Sequence, residues 1–88
     1  MYFISVNTFM YNVFMSKDDL KIKSRQILLE NNIPVTKPRL LLIEILLKNR
    51  APLKIEEIIK ISKGKLAISS LYRIINNLKN FNIITEIK

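Results

Sequence analysis

The feature that most constrains the fold is the run 40–47, in which every residue except Glu44 is apolar. If this run is helical, apolar side chains cover nearly its whole circumference, and such a helix belongs at the centre of a core. Thr36 is a suitable N-cap for it, and Pro38 fits the first turn, where its missing N–H costs nothing. The sequence therefore predicts one central helix with the other elements packed around it.

Apolar periodicity predicts two more helices beside the central one. The first begins after Ser16, a suitable N-cap, and ends at residues 31–32, because the residue before Pro34 avoids the helical region. The other is short, covers about 54–62, and is ended by Gly64. The expected inner faces consist of Leu20, Ser24, Ile27 and Leu28 in the first helix and Ile55, Ile58 and Ile59 in the other.

A fourth helix is predicted over about 67–80, and a strand over 83–87 follows it. Ser69 is the best capping residue of this helix, but Ile68 continues its inward apolar stripe, which favours a start at Ala67. The segment NFN, residues 80–82, ends it. The rest of the stripe comprises Leu71, Ile74, Ile75 and Leu78. The polar and aromatic residues left on the other side are Ser70, Tyr72, Arg73, Asn76 and Asn77.

Composition restricts the chemistry of this 88-residue chain, which is long enough for one small domain. The chain has no cysteine and no histidine, so it has no disulfide or thiolate metal site and lacks the commonest metal ligand and general base. Its single glycine excludes a glycine-rich phosphate loop, and its seven acidic residues are scattered. We therefore expect neither an enzyme nor a metal-binding protein.

The charge is strongly positive, because fifteen Lys and Arg stand against seven Asp and Glu, giving +8. All the charged side chains lie after residue 16. A small domain with this charge suits a polyanion, either nucleic acid or an anionic membrane surface. The alternative is that the many Ile, Lys and Asn residues simply reflect AT-rich codons.

The first sixteen residues differ from the rest of the chain. They are uncharged, hold three of the four phenylalanines, and are too short to span a membrane. We expect either that Met15 is the natural start, or that this leader is a poorly ordered arm or a membrane-touching segment. In each case the domain covers 17–88, and the leader is dispensable.

Three short stretches of the domain occur in an order that is typical of a known family. VTKPR (35–39) leads into the central helix, EEI (56–58) lies in the third helix, and SSLYR (69–73) lies in the fourth. With NFNIITE (80–86) before the strand, they resemble the DNA-binding half of the ferric uptake regulator (Fur) family over about 25–88. That family shows a G-x-x-x-T-x-x-R stretch, an acidic pair and an A-T-V-Y-R segment in the same order. The resemblance implies a mainly α, winged helix-turn-helix fold with about four helices and an incomplete β-wing.

The chain also departs from the family pattern. Pro52 stands where the family usually has a histidine, and the turn before the fourth helix looks about three residues shorter. The wing is expected to have one strand rather than two. The family's C-terminal half, which dimerises and binds zinc and a regulatory metal such as iron, has no counterpart here. We therefore expect no cofactor in this chain, and no dimer without that half.

The resemblance also assigns roles to individual residues. The fourth helix would lie in the major groove of double-stranded DNA. The expected base contacts are Ser70, Tyr72, Arg73, Asn76 and Asn77. The expected phosphate contacts are Arg25, Lys37, Arg39, Lys63 and Lys65. Each role has a plainer alternative. Tyr72 could pack beside the apolar stripe, and Arg73, Lys63 and Lys65 could be solvated charges. Asn76 and Asn77 could form a plain polar face.

The function implied by the resemblance is the DNA-binding module of a transcriptional regulator of the Fur family. Such a repressor would act in the cytoplasm on DNA, here expected to be AT-rich, and would need no membrane. Two alternatives stay open. One is a winged-helix module that binds proteins, because a fold does not dictate function. The other is a non-functional, truncated remnant.

Overall fold

The computed structural model describes residues 3–6, 17–49 and 52–87. These residues form four helices and two strands. In chain order, the elements are β1 (Phe3–Val6), α1 (Lys17–Glu30), α2 (Lys37–Asn49), α3 (Ile55–Ile61), α4 (Ile68–Asn80) and β2 (Ile84–Ile87). The fold is mainly helical with one small antiparallel sheet, so the predicted mainly α class is confirmed. No helix among the described residues is both long and apolar enough to cross a bilayer.

Helix α2 occupies the centre of the core, as its composition predicts. It packs against α1, α3, α4 and β1. The Thr36 hydroxyl oxygen lies 3.4 Å from the backbone nitrogen of Arg39, and the Leu40 N–H donates to the Thr36 carbonyl at 3.0 Å. Thr36 is therefore the N-cap, as predicted. The buried residues of α2 are Leu42, Ile43, Ile45, Leu46 and Leu47.

Helix α1 buries the four residues that periodicity assigned to its inner face. One of them is polar, but the Ser24 hydroxyl donates to the Leu20 carbonyl at 2.7 Å, so its burial leaves no unpaired donor. The helix ends where Asn32 adopts a left-handed φ of 57° and the Ile33 N–H donates to Leu28 at 2.9 Å. This is a Schellman ending with asparagine in the left-handed position. The predicted cap Ser16 lies outside the described residues.

The sheet formed by the described residues has two strands, where the sequence predicted one. Strand β1 pairs antiparallel with β2, from Phe3 opposite Ile87 to Val6 opposite Ile84. Ile4 is fully buried, and its backbone exchanges two hydrogen bonds with Leu53, at 2.7 and 2.8 Å. Residues 3–6 are therefore part of the packed domain. This corrects two expectations, namely that the domain begins at residue 17 and that the strand after α4 has no partner strand. Residues 7–16, including the proposed start at Met15, lie outside the described residues.

Helix α4 connects the core to β2. Its N-cap is Ala67, the earlier of the two predicted starts, and its buried residues are Leu71, Ile74, Ile75 and Leu78, as predicted. The inward position predicted for Ile68 is wrong, because 55 % of this residue is exposed. Leu66, in the preceding turn, is buried instead.

The end of α4 follows the prediction for NFN. Asn82 has a left-handed φ of 59°, and the Ile83 N–H donates to the Leu78 carbonyl at 3.1 Å. Across this turn, the ammonium group of Lys79 in α4 forms an ion pair with the carboxylate of Glu86 in β2. The turn reverses the chain into β2, and the ion pair links the end of α4 to that strand.

Candidate nucleic-acid interface

The two faces of α4 have opposite character. One face buries four aliphatic side chains against the core. On the other face, Ser70, Tyr72, Arg73 and Asn76 are exposed, and 44 % of Tyr72 is accessible. These are four of the five residues predicted to contact bases. Their side chains are available to a partner without any change in the packing of the helix.

Asn77, the fifth residue, is placed differently. It is half-buried, and its side-chain oxygen is buried without a hydrogen bond from any described residue. Position 77 lies three residues after the buried Ile74 on the helix surface, so it stands at the edge of the stripe that faces the core. Asn77 is therefore less available to a base than the neighbouring Asn76.

The turn between α3 and α4 carries two of the predicted phosphate contacts. Lys63 and Lys65 are both exposed. Lys63 has a φ of 56° and Gly64 a φ of 81°, so two successive residues have left-handed backbone. Helix α3 ends at Ile61, before Gly64, and the first left-handed residue is the lysine. A Cβ at position 64 would meet nothing within 4 Å, so lack of space does not explain the glycine. The reason is its left-handed φ, which glycine adopts more easily than other residues.

Ser62 shapes this turn, and sequence reasoning missed it. The residue is buried, its hydroxyl donates to the Ile59 carbonyl at 2.7 Å, and the same oxygen accepts the Leu66 N–H at 3.3 Å. One side chain thus ties the end of α3 to the residue that anchors the turn in the core. The available signal was a serine directly after an apolar helix, where a hydroxyl commonly bonds to nearby backbone groups.

The start of α2 holds two more predicted phosphate contacts, but they are not equivalent. Lys37 is exposed. Arg39 is half-buried, its Nη1 lies 3.4 Å from the Thr36 hydroxyl, and its Nε is buried without a partner among the described residues. Arg39 is thus partly held against its own helix. Arg25, the remaining predicted contact, is exposed on α1.

Positive charge is concentrated around α4. Residues 58–85 contain no acidic residue and five basic ones. These are Lys60, Lys63, Lys65, Arg73 and Lys79. The charge of Lys79 is balanced by Glu86, which lies just after this segment. The turn before α4 and the first half of α4 are therefore more cationic than the second half of the helix.

The N-terminus of α4 adds a favourable dipole to this charge. Its N-cap residue, Ala67, offers no side-chain acceptor, and the first bond within the helix runs from the Leu71 N–H to the Ala67 carbonyl at 2.9 Å. The first N–H groups of α4 therefore have no partner within the helix and point out of its N-terminal end, which follows the turn that carries the exposed Lys65. Amide groups at a helix N-terminus favour an anion such as a phosphate.

Comparison with known proteins identifies no relative of this chain. No protein-family model, curated protein or solved structure matches the chain. Within residues 3–6, 17–49 and 52–87, no three or more Asp or Glu side chains are grouped to hold a metal ion. The function of the chain is therefore inferred from the arrangement of its own residues.

Proposed function

We propose that this chain is the DNA-binding module of a Fur-like transcriptional regulator. In this proposal the fold is a winged helix-turn-helix, and α4 is the recognition helix that lies in the major groove. One observation carries the proposal. The helix that presents Tyr72 and Arg73 on its exposed side lies in the one long segment, 58–85, that has basic residues and no acidic ones.

The dimensions of α4 are compatible with this role. Thirteen residues give a helix about 20 Å long, and the major groove is about 12 Å wide, which admits one helix. Arg73 can donate two hydrogen bonds to O6 and N7 of guanine, and the Tyr72 ring can pack against a thymine methyl group. Ser70 and Asn76 supply adaptable donors and acceptors beside them.

The surrounding elements would position the helix on the backbone. Lys63 and Lys65 precede α4, and Lys37 stands at the start of α2, so their ammonium groups can meet phosphates on the edges of the groove. Strand β1 gives β2 an antiparallel partner, which supports a wing built from the two ends of the described chain. In this arrangement phosphate contacts set the register, and α4 reads the bases.

A protein-binding module is the second candidate, and one observation favours it. Several large apolar side chains are exposed, among them Ile22 on α1, Ile61 on α3 and Phe81 after α4. Exposed apolar groups on different elements could contact another protein. The two functions differ in salt dependence, because contacts with DNA phosphates release counterions and apolar contacts do not.

The test is the affinity for a 20-base-pair, AT-rich duplex, measured by fluorescence anisotropy between 50 and 200 mM salt. We expect micromolar affinity, and a log–log slope of about −4 to −5 if about four to six phosphates are neutralised. Replacing both Lys63 and Lys65 by Gln should make the slope shallower by about two. The matched control is Lys48→Gln, because Lys48 is exposed at the opposite end of α2 from Lys37. A flat salt response would favour the protein-binding function.

A further inference from the structure

The exposed side of α4 is not purely polar. Ile68 is 55 % exposed and Tyr72 is 44 % exposed. They are four residues apart in one helix, so their Cβ atoms lie about 5–6 Å from each other on one face. We call the surface formed by Ile68 and Tyr72 the apolar patch of α4. It occupies the first half of the helix, close to the basic turn.

Ile68 has no evident structural role at this position. The buried stripe of α4 begins at Leu71, and Leu66 fills the core position in front of the helix. Isoleucine is also not a favoured residue for an exposed helical position, because its branched side chain loses rotamer freedom there. Its neighbours Ser69 and Ser70 are small and exposed, so they leave the isoleucine side chain accessible.

The location of Ile68 determines what it would meet on DNA. A recognition helix contacts base edges with its N-terminal residues, and Ile68 is the first residue of α4. The edges of bases in the major groove carry polar donors and acceptors and one apolar group, the C5-methyl of thymine. An aliphatic side chain forms no hydrogen bond with the polar groups, so the methyl group is the feature it fits.

We propose that Ile68 is a specificity-determining residue that packs against the 5-methyl group of a pyrimidine, with Tyr72 lining the same apolar patch. The inference rests on the proposed function. It distinguishes recognition of a methyl group from recognition of base identity, because 5-methylcytosine presents a methyl at the same ring position. The protein should therefore prefer thymine to uracil, and 5-methylcytosine to cytosine, at the contacted position.

The experiment compares duplexes that differ only in the methyl group. The first pair is a 20-base-pair alternating dA–dT duplex and the same duplex with dU in place of dT. The second pair is an alternating dG–dC duplex and its 5-methylcytosine form. For the native chain we expect about fourfold tighter binding to the methylated member of each pair, the effect of burying roughly one methyl group.

Variants at two exposed isoleucines assign the effect to a residue. Ile68→Ser should lower both ratios clearly below those of the native chain, leaving only the methyl preference that Tyr72 supplies, and should leave the melting temperature unchanged. Ile68→Gln replaces the aliphatic side chain by an amide with good helix propensity and serves as the second variant, should the serine change the helix. The matched control is Ile22→Ser, because Ile22 is 63 % exposed but lies on α1. This control should keep the fourfold ratios of the native chain.

The outcomes separate this inference from the proposed function. Salt-dependent binding with equal affinity for both members of a pair would overturn the role of Ile68 and leave DNA binding in place. Unchanged ratios in both Ile68→Ser and Ile68→Gln would also overturn it. Absence of salt-dependent binding to all four duplexes would overturn the proposed function together with the inference.

Discussion

At the scale of single residues, the side chains of α4 divide between buried and exposed positions. Leu71, Ile74 and Ile75 are buried and hold the helix on the core, whereas Tyr72 and Arg73 between them are exposed. In the proposed function, stability and recognition therefore belong to different residues of one short segment. Exposed side chains here can be replaced without creating a cavity, so binding and folding can be measured independently.

Arg73 and Lys37 should respond differently to truncation. Arg73→Ala should weaken binding to a preferred duplex by about 1–3 kcal/mol and relax its selectivity, because a bidentate contact with a base is lost. Lys37→Ala should weaken binding to all sequences about equally, because a phosphate carries no base identity. Arg73→Lys should also lose selectivity, since an ammonium cannot make the planar contact. Competition between duplexes of different sequence measures these effects.

Melting curves provide the control for these variants. Because Arg73 is exposed, its replacement should leave the melting temperature nearly unchanged. If site preference survived in Arg73→Ala, and Tyr72→Ala mainly lowered the melting temperature, then the ring would be a packing residue and the arginine a solvated charge. That result would contradict the assigned recognition face.

The exposure of individual residues was predictable where one helix determined it. The exposed positions of Ser70, Tyr72 and Arg73 follow from the helical period alone. The half-buried positions of Arg39 and Asn77 do not, because they depend on neighbouring elements and on a local bond to a threonine hydroxyl. The role of each side chain in binding DNA stays a prediction.

At the scale of secondary structure, the most consequential element is β1. It is only four residues long, yet it gives β2 its partner and places Ile4 fully in the core. A short strand at one end of a sheet is stabilised mainly by such tertiary contacts. The stability of the sheet therefore depends on a residue about eighty positions away from the strand that it supports.

We predict that Ile4→Ala destabilises the protein by about 2–5 kcal/mol, because it removes aliphatic atoms from a buried site and leaves a cavity. A small domain has a free energy of unfolding of about 5–15 kcal/mol, so the loss is a large fraction of it. Chemical denaturation measures the change, with Ile22→Ala as the exposed control, expected within about 0.5 kcal/mol of the native chain. A chain begun at Met15 should be destabilised further. Unchanged melting of that shorter chain would show that β1 is dispensable.

Helices and β1 differed in predictability for a physical reason. Helical periodicity is local, so it gave the inner faces of α1 and α4, and local capping groups gave the ends at Thr36 and Asn82. The pairing of β1 is non-local, and four residues in an uncharged aromatic segment carry too short an alternation to predict it. Ile68 shows the same limit, since periodicity cannot tell where a helix extends beyond the core.

At the scale of the whole molecule, charge and core are arranged separately. The buried residues are almost entirely Ile and Leu, with Ser24 and Ser62 as the buried polar exceptions among the described residues. The excess of basic side chains lies on the outside. Residues 58–85, from the middle of α3 through α4, include no acidic residue. Such an asymmetric charge raises the rate of encounter with a polyanion, and salt screens the effect.

The last prediction concerns metal ions and the molecule as a whole. The proposed function resembles that of metal-responsive regulators, but this chain has no histidine or cysteine. Its described carboxylates form no group that could hold a metal ion. We therefore expect DNA affinity to be the same, within about twofold, in EDTA and in the presence of zinc or ferrous ions, since transition metals need imidazole, thiolate or clustered carboxylate ligands. Anisotropy titrations at constant ionic strength measure the affinity, and calorimetry without DNA should show no stoichiometric uptake of either ion. Metal-dependent DNA binding, or a one-to-one site of micromolar affinity, would contradict a module that binds DNA without sensing metal.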